Sequence, residues 1–412
     1  MDEVTESPGG SPDEPPEPTD PAGDPSSAGG PTPPPVEPPV VPPWPPAPPG
    51  SDAPRRRSSG SRLVVTLVTV LGVFVAAVGI WGFVHHPGYD QFLPGDAEAV
   101  GPLITVRGAP QYKSHGDELL VYVRERSDLN EWQYLWAKTF RGDSDIEQSP
   151  PPSEVSSSQQ DTCDMDTSQV TAKFVALSKL GYKVPAKPGV VIESVLDATI
   201  PAAQQLTCLD IIHSVDGQPT ETPDALHAAI AKHKPGDFVD IGFDRGGRRM
   251  TRSVKLTSDQ GQALIGVEVG QIYTYPIDVS IDTSQIGGPS AGLAMTLAIL
   301  DQMTKGNLTG GKRVAVTGTI NPDGSVGEIG EIRLKALAVA HRDAQIFIVP
   351  ACTLPAAEDP TCKPDLAAAR KNAKGVKVIP VKTLDDALRA LQENGGDPLP
   401  KVVPKGTTAA SQ

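Results

Sequence analysis

Residues Leu63–Val84 form an uncharged apolar run of 22 residues, which constrains the fold of this chain more than any other feature. As a helix rising ~1.5 Å per residue, the run would be roughly 33 Å long and would match the ~30 Å hydrocarbon core of a bilayer. A buried core helix is usually shorter and carries polar positions. A cleavable signal peptide has a shorter apolar segment nearer the N-terminus. The run therefore predicts one transmembrane helix at residues 63–84.

The charges around this run predict its orientation. Arg55, Arg56, Arg57 and Arg62 precede the run, and Trp81 lies near its far end, where interfacial aromatic residues are common. By the positive-inside rule, the N-terminus is cytoplasmic and everything after the run lies outside. We therefore expect a single-pass protein of the cell membrane with an extracytoplasmic body.

The segment before the run is acidic and rich in proline. Its first 54 residues hold 20 of the 44 prolines and ten acidic residues, with no lysine or arginine. Such a composition cannot bury enough apolar surface to fold, so residues 1–62 are predicted to be a disordered arm. Its proline runs could alternatively dock to a partner as polyproline II helices. The ten acidic residues of the first 54 positions account for −10 of the net charge of −14, and the remaining −4 gives no indication of nucleic-acid binding.

All four cysteines follow the apolar run and are thus expected where disulfides persist. They are Cys163, Cys208, Cys352 and Cys362. Four cysteines allow three pairings, of which the local pair Cys352 with Cys362 is the simplest, and the pattern leaves the choice open. No C-x-x-C motif or His/Cys cluster is present. We expect neither a metal nor a cofactor.

The body divides by composition and periodicity into three parts and a tail. Residues 85–186 form a membrane-proximal region with strands at "PLITV" and "ELLVYVRE", a helix at "NEWQYLWAKTF", a loop at residues 143–162 and a second helix at residues 168–182. Residues 262–395 alternate strands with helices, which favours a mixed α/β domain with one core. Residues 396–412 are predicted to be a tail. The fold class is therefore α+β.

Residues 187–258 carry "GVVIESV", "DIIHSVDG", a short helix and a hairpin with its turn at Gly246-Gly247. This order resembles the PDZ domains attached to bacterial proteases, although "QLTCLD" stands where that family usually has a glycine-containing turn. The resemblance implies a β-rich domain that binds an extended peptide along a sheet edge. The alternative is a structural spacer that binds nothing.

Ser290 stands out in the last domain because it lies in Gly288-Pro289-Ser290-Ala291-Gly292, a G-x-S-x-G pattern. In α/β-hydrolases this pattern places a nucleophilic serine on a turn between a strand and a helix. Backbone N–H groups at the helix start could then hold an oxyanion. The alternative is a serine that only caps a helix packed through small residues.

A serine nucleophile requires a base. A hydrolase triad would need Asp323 and His341, but the strands expected ahead of such a turn are missing. Lys335 is the better candidate, because it shares a helical stripe with Ile332 and Val339. A lysine on an apolar stripe loses hydration, which lowers its pKa and leaves an amine able to accept a proton. A lysine that snorkels to water is the alternative.

Two motifs in the right order, "GGPSAGLAM" and "VTGTINPDGSVGEIGEIRLKALAVAHR", resemble the proteolytic domain of Lon proteases. The resemblance implies a Ser–Lys dyad with Ser290 as nucleophile, Lys335 as general base and Thr317 supporting the lysine amine. Two positions depart from the family. Gly287 stands where many Lon proteases have aspartate, and Glu331 replaces the second glycine of "IGG".

The complete order resembles the membrane-anchored, PDZ-containing Lon-like proteases of Gram-positive bacteria. It implies a serine endopeptidase that acts on proteins or peptides outside the membrane, with PDZ-assisted substrate selection and homo-oligomerisation allowed. The chain has no G-x-x-x-x-G-K-[ST] phosphate loop, so ATP-independent action is expected. The alternative is a catalytically silent, PDZ-bearing membrane adaptor or adhesion protein.

Overall fold

The computed structural model describes residues 59–149, 157–195, 200–283, 286–327, 329–352 and 362–400. The predicted disordered arm lies outside these residues apart from positions 59–62, and so does the tail beyond residue 400. The contacts divide the chain into units Met1–Leu67 and Val68–Gln412. The helices are α1 Ser59–Val84, α2 Glu131–Phe140, α3 Ser157–Lys179, α4 Pro223–Ile230, α5 Gly292–Met303, α6 Ile332–Ala340, α7 Cys362–Asn372 and α8 Leu384–Glu393.

The strands of the first half are β1 Tyr89–Ala99, β2 Ile104–Arg107, β3 Asp117–Arg126, β4 Asp145–Gln148, β5 Ala186–Val195, β6 Ile211–Val215, β7 Gln218–Pro219, β8 Phe238–Arg245 and β9 Arg248–Lys255. Those of the second half are β10 Thr257–Asp259, β11 Gln262–Leu264, β12 Val267–Tyr273, β13 Asp278–Ile281, β14 Arg313–Val316, β15 Thr319–Ile320, β16 Val326–Gly327, β17 Ile346–Pro350 and β18 Lys377–Val381.

Helix α1 contains the apolar run and begins four residues before it. The stretch Ser61–Val84 is long and apolar enough to cross a membrane, and none of its most apolar window is buried against protein. At ~1.5 Å per residue its 24 residues span roughly 36 Å, enough for the hydrocarbon core of a bilayer.

A six-stranded sheet in the order β18-β17-β14-β3-β1-β4 forms the centre of one part of the body. Strands β18, β17, β14 and β3 are parallel, whereas β1 runs antiparallel to β3 and β4. Successive side chains face opposite sides. Leu120 packs on one side with residues of α3, α5 and α8, while Leu119 and Val121 pack on the other side with residues of α6 and α7. The result is a sheet covered by helices on both faces.

Residues 85–186, expected as a separate membrane-proximal region, supply β1, β3 and β4 of this sheet. The same region contributes α3, which packs against α5. Part of the predicted loop at 143–162 is strand β4, which pairs with β1, and helix α3 begins at Ser157 inside that loop. Composition alone could not show that β3 pairs with β14, because the paired residues Asp117 and Arg313 lie about 200 positions apart.

A second sheet has the order β12-β5-β6-β8-β9, with β7 paired to β6. Its core is formed by large apolar side chains such as Ile212, Ile241 and Phe243, and α4 packs against it. Strand β12 belongs by sequence to the segment assigned to the last domain, yet it pairs with β5. Among the described residues β12 is an end strand of this sheet, so one of its edges pairs with no described strand.

Two disulfides tie the body together, Cys163–Cys208 and Cys352–Cys362. The second is the local pair favoured by sequence spacing. The first joins α3 to the segment between β5 and β6, and it therefore links the sheet that carries β12 to the helix that packs on α5.

Candidate active site

Ser290 lies in a short turn, Pro289–Ala291, directly before α5. Gly288 permits the turn because its φ is +84°, a conformation that favours glycine. The Ser290 carbonyl accepts a hydrogen bond from the Gly318 N–H at 2.8 Å, which fixes the turn against the loop after β14. The residue at the cap of α5 is Ala291, and no side chain caps the helix there. The helix-cap interpretation of Ser290 is therefore wrong, and its hydroxyl is free for another partner.

That partner is Lys335, on the first turn of α6. Its Nζ lies 3.0 Å from Ser290 Oγ, within hydrogen-bonding distance. The Lys335 side chain is only 5% exposed. Burial lowers its pKa from the ordinary value to about 8, and the nearby Glu331 carboxylate opposes the shift. The snorkelling interpretation is wrong, because this amine is buried and faces the serine.

Thr317 is fully buried at the end of β14. Its hydroxyl donates to the Ser290 carbonyl oxygen at 3.4 Å. The structure thus brings Thr317 to the backbone of the serine turn, and its role as support for the lysine amine remains a prediction.

The Ser–Lys pair faces a cleft of about 430 Å³. One wall is apolar, with Phe92, Ile286 and Ile329 among its members, and three carboxyl groups line the cleft: Glu125, Asp161 and Glu331. Asp323 accepts hydrogen bonds from Ser325, and His341 ends α6. Neither is among the described residues that line the cleft, so the triad alternative has no support in this geometry.

Helix α3 supports the serine turn, a role that the sequence did not indicate. The Asp161 carbonyl accepts from the Gly288 N–H at 2.8 Å, and the Ser168 hydroxyl donates to the Pro289 carbonyl at 3.0 Å. A Cβ built on Gly287 would lie 2.6 Å from Asp161 Cβ. Asp161 thus fills the space beside Gly287, where many Lon proteases carry an aspartate of their own.

Glu331 holds an unusual backbone conformation at the start of α6, with φ +59° and ψ 30°. Few residues other than glycine adopt this left-handed region, and it costs of order 1–3 kcal/mol. Burial raises the pKa of its carboxyl to about 7, and the negative charges of Glu147 and Asp145 add to the shift. A strained acidic residue therefore lies one helical turn from Lys335.

Two further clefts lie along β12. The first, of about 580 Å³, lies between α3 and β12 and shares Pro289 and Thr319 with the Ser290 cleft. The second, of about 690 Å³, lies between α4 and β12 and shares Val269 with the first. Strand β12 thus contributes to the lining of both clefts, and the first of them shares residues with the Ser290 cleft.

The intermediate cleft between α3 and β12 is acidic. Asp164, Glu193 and Glu268 line it, and its described lining residues include no lysine or arginine. Burial raises the pKa of Asp164 and of Glu193, and the charge of Glu268 raises both further. An extended chain that carries positive charge would complement this lining.

Comparison with known proteins identifies two domains. Residues 172–256 match the PDZ domain family, and residues 276–393 match the Lon protease (S16) C-terminal proteolytic domain. The chain is 34% identical to a Lon protease of Trichlorobacter lovleyi over 121 residues, which are 29% of this chain and 14% of that protein. It is 34% identical to a Lon protease of Neorickettsia sennetsu over 102 residues, 24% of this chain and 11% of that protein. The chain thus spans a small fraction of these relatives.

The chain is also similar to parts of solved structures. One is the PDZ domain of an SdrC-like protein from Listeria monocytogenes, 31% identical, covering 20% of this chain and 87% of that chain with a TM-score of 0.19. Another is a protein from Geobacillus thermodenitrificans, 30% identical, covering 20% of this chain and 95% of that chain with a TM-score of 0.18.

Proposed function

We propose that this chain, which carries a PDZ domain and a Lon-type proteolytic domain, is a serine endopeptidase that uses a Ser290–Lys335 dyad. The observation that supports this most is the 3.0 Å distance between Lys335 Nζ and Ser290 Oγ. A second is the burial that lowers the pKa of the lysine to about 8, so that a useful fraction of the amine is neutral near pH 7–8.

In the proposed mechanism the neutral Lys335 amine accepts the Ser290 hydroxyl proton while Oγ attacks a peptide carbonyl. The N–H groups of the serine turn hold the resulting oxyanion. The lysine then returns the proton to the leaving amine as the C–N bond breaks, which leaves an acyl ester on Ser290. Water, deprotonated by the same amine, attacks the ester and regenerates the serine.

The proposed enzyme is anchored in the cell membrane by α1, with its catalytic domain outside. The length and composition of α1 support the anchor, and the arginines before it support the orientation. The two disulfides are consistent with an oxidising compartment. We further propose that cleavage needs no ATP, because the sequence has no phosphate-loop motif and the compartment outside the membrane supplies no nucleotide.

We propose that the PDZ domain presents substrates to Ser290. The free edge of β12 can accept an extended peptide as an added strand. At ~3.3 Å per residue its seven residues hold roughly 23 Å of chain, and the cleft between α3 and β12 continues from there to Pro289. A protein or peptide held in the PDZ domain would thus reach the serine in an extended form.

The proposal is tested with the full chain in nanodiscs and an unfolded protein such as casein. Ser290→Ala should abolish cleavage, whereas the matched variant Ser258→Ala, at an exposed position on β10, should retain it. Equal cleavage by the Ser290→Ala variant would contradict the proposed dyad, and no cleavage by the unmodified chain would favour the adaptor alternative.

A further inference from the structure

Helix α2 exposes an unusual number of large apolar side chains. They are Trp132, Leu135, Trp136 and Phe140, with exposed fractions of 38%, 41%, 60% and 68%. At ~100° per residue these four positions fall within an arc of roughly 140°. Outside α1, the described residues include only two other exposed large apolar side chains, Leu209 and Phe238. The exposure is therefore concentrated on one face of one short helix.

The opposite face of α2 holds the helix on the body. Ala137 is buried, and the Tyr134 ring stacks on Tyr89 at 4.7 Å. Asn130 caps the helix start, its side chain accepting from the Gln133 N–H at 2.9 Å. Since the helix is anchored from this side, the exposed aromatic face is a fixed surface.

This surface lies beside the end of α1. Trp132 Nε1 donates to the Gly79 carbonyl at 3.1 Å, and the Glu131 N–H donates to the His85 carbonyl at 2.9 Å. Gly79 precedes Val84 by five residues, or roughly 7.5 Å along the helix. That depth agrees with the ~5–10 Å at which interfacial helices bury their apolar face.

We propose that α2 lies in the membrane surface, with Trp132, Leu135, Trp136 and Phe140 inserted among the lipid headgroups and upper acyl chains. Tryptophan suits this position because its ring is apolar and its N–H is polar. The polar residues Glu131 and Lys138, next to this face, would remain in the headgroup layer. The proposal rests on the membrane anchoring by α1 and on no feature of the catalytic dyad.

A second contact with the bilayer would have a mechanical consequence. One helix alone lets a body swivel and tilt above a membrane. Because α2 leads directly into β4, which pairs with β1 of the catalytic sheet, a docked α2 would fix the orientation of the Ser290 cleft relative to the membrane. Substrates would then approach from one direction.

The proposal is tested by placing a single cysteine, labelled with the environment-sensitive dye NBD, at Trp136 or Phe140 in the full chain. The native cysteines are paired, so the new thiol is the one that reacts. The protein is held in phosphatidylcholine–phosphatidylglycerol nanodiscs, with or without phosphatidylcholine that carries a nitroxide on its upper acyl chain. Glu393→Cys, at an exposed position of α8, is the matched control.

We expect the labels at Trp136→Cys and Phe140→Cys to show blue-shifted emission and at least roughly twofold quenching by the nitroxide lipid, and the Glu393→Cys label to show neither. Labels on α2 that behave like the control would overturn the proposal. So would labels shielded from water but not quenched by lipid, which would identify a protein on this face. A label at Val75→Cys, within α1, tests the membrane span separately from the docking of α2. If nitroxides placed deep in the acyl chains fail to quench this label, the membrane span itself is contradicted.

Discussion

Lys335 Nζ and Ser290 Oγ lie 3.0 Å apart, although their helices pack on opposite faces of one sheet. Helix α5 packs in one hydrophobic core with α3 and α8. Helix α6 packs in the other core with α7. The pair therefore depends on the sheet and both cores being formed. Local unfolding on either side would separate the two atoms.

The role of Lys335 as a base predicts that charge alone cannot replace it. Lys335→Arg should reduce kcat by about 10²–10⁴-fold, because a guanidinium stays protonated and cannot accept the serine proton. The measurement is steady-state cleavage of a fluorogenic peptide by the full chain. Lys371→Arg, on the exposed face of α7, should be unaffected. Activity retained by Lys335→Arg would show that the residue acts only as a cation.

The pH profile should follow the lysine. The base works when neutral, so kcat/KM should rise as pH rises through the pKa of Lys335, about 8. The Glu331 carboxylate raises that pKa. Glu331→Gln removes the charge while keeping the side-chain size, and it should move the acid limb toward lower pH. The control variant Glu393→Gln should leave the acid limb of the pH profile in place. An unchanged acid limb in Glu331→Gln would contradict the effect of Glu331 on the pKa of Lys335.

Removing the Cys163–Cys208 disulfide should lower the free energy of unfolding more than removing the Cys352–Cys362 disulfide. The sequence separations are 45 and 10, which correspond to roughly 4 and roughly 3 kcal/mol of unfolding free energy in the chain-entropy model. Thermal melts of the two double-serine variants measure this order. Because α3 also holds the serine turn, the Cys163→Ser/Cys208→Ser variant should lose more activity while still folded. The reverse order of activities would contradict the support assigned to α3.

The acidic cleft beside β12 predicts a preference among substrates. Peptides with lysine or arginine between the PDZ-held end and the scissile bond should be cleaved about tenfold more efficiently than peptides with glutamate there. Glu268→Gln should reduce this ratio, and added salt should do so as well. A ratio near one for the unmodified protein would show that the cleft between α3 and β12 does not contact substrate.

Local patterns predicted a large part of the fold. The apolar run, the helix that became α2 and the small-residue segment after Ser290 were all evident, since each depends on neighbours in sequence. Residues 262–395 were assigned to the last domain, but β12 within that segment belongs to the PDZ sheet. A strand pattern specifies which side chains face a core, and it does not specify which strand lies alongside.

In the candidate site, too, local motifs could be predicted from the sequence and contacts between distant segments could not. Ser290 and Lys335 could be proposed from motifs, whereas Asp161 and Ser168 could not, because they act through α3, more than 120 residues before the serine. Glu331 was recognised only as a departure from the family pattern. Its left-handed backbone and its raised carboxyl pKa become evident only when Glu147 and Asp145 of β4 lie beside it.

The most direct test of the central claim is to identify the acylated residue. The full chain is mixed with an activated peptide ester, quenched in acid within the first turnover and digested for mass spectrometry. We expect the acyl group on the peptide that contains Ser290, and we expect it to be absent from Ser290→Ala and greatly reduced in Lys335→Arg. An acyl group on another residue, or ester turnover by the Ser290→Ala variant at the normal rate, would contradict the Ser290–Lys335 mechanism.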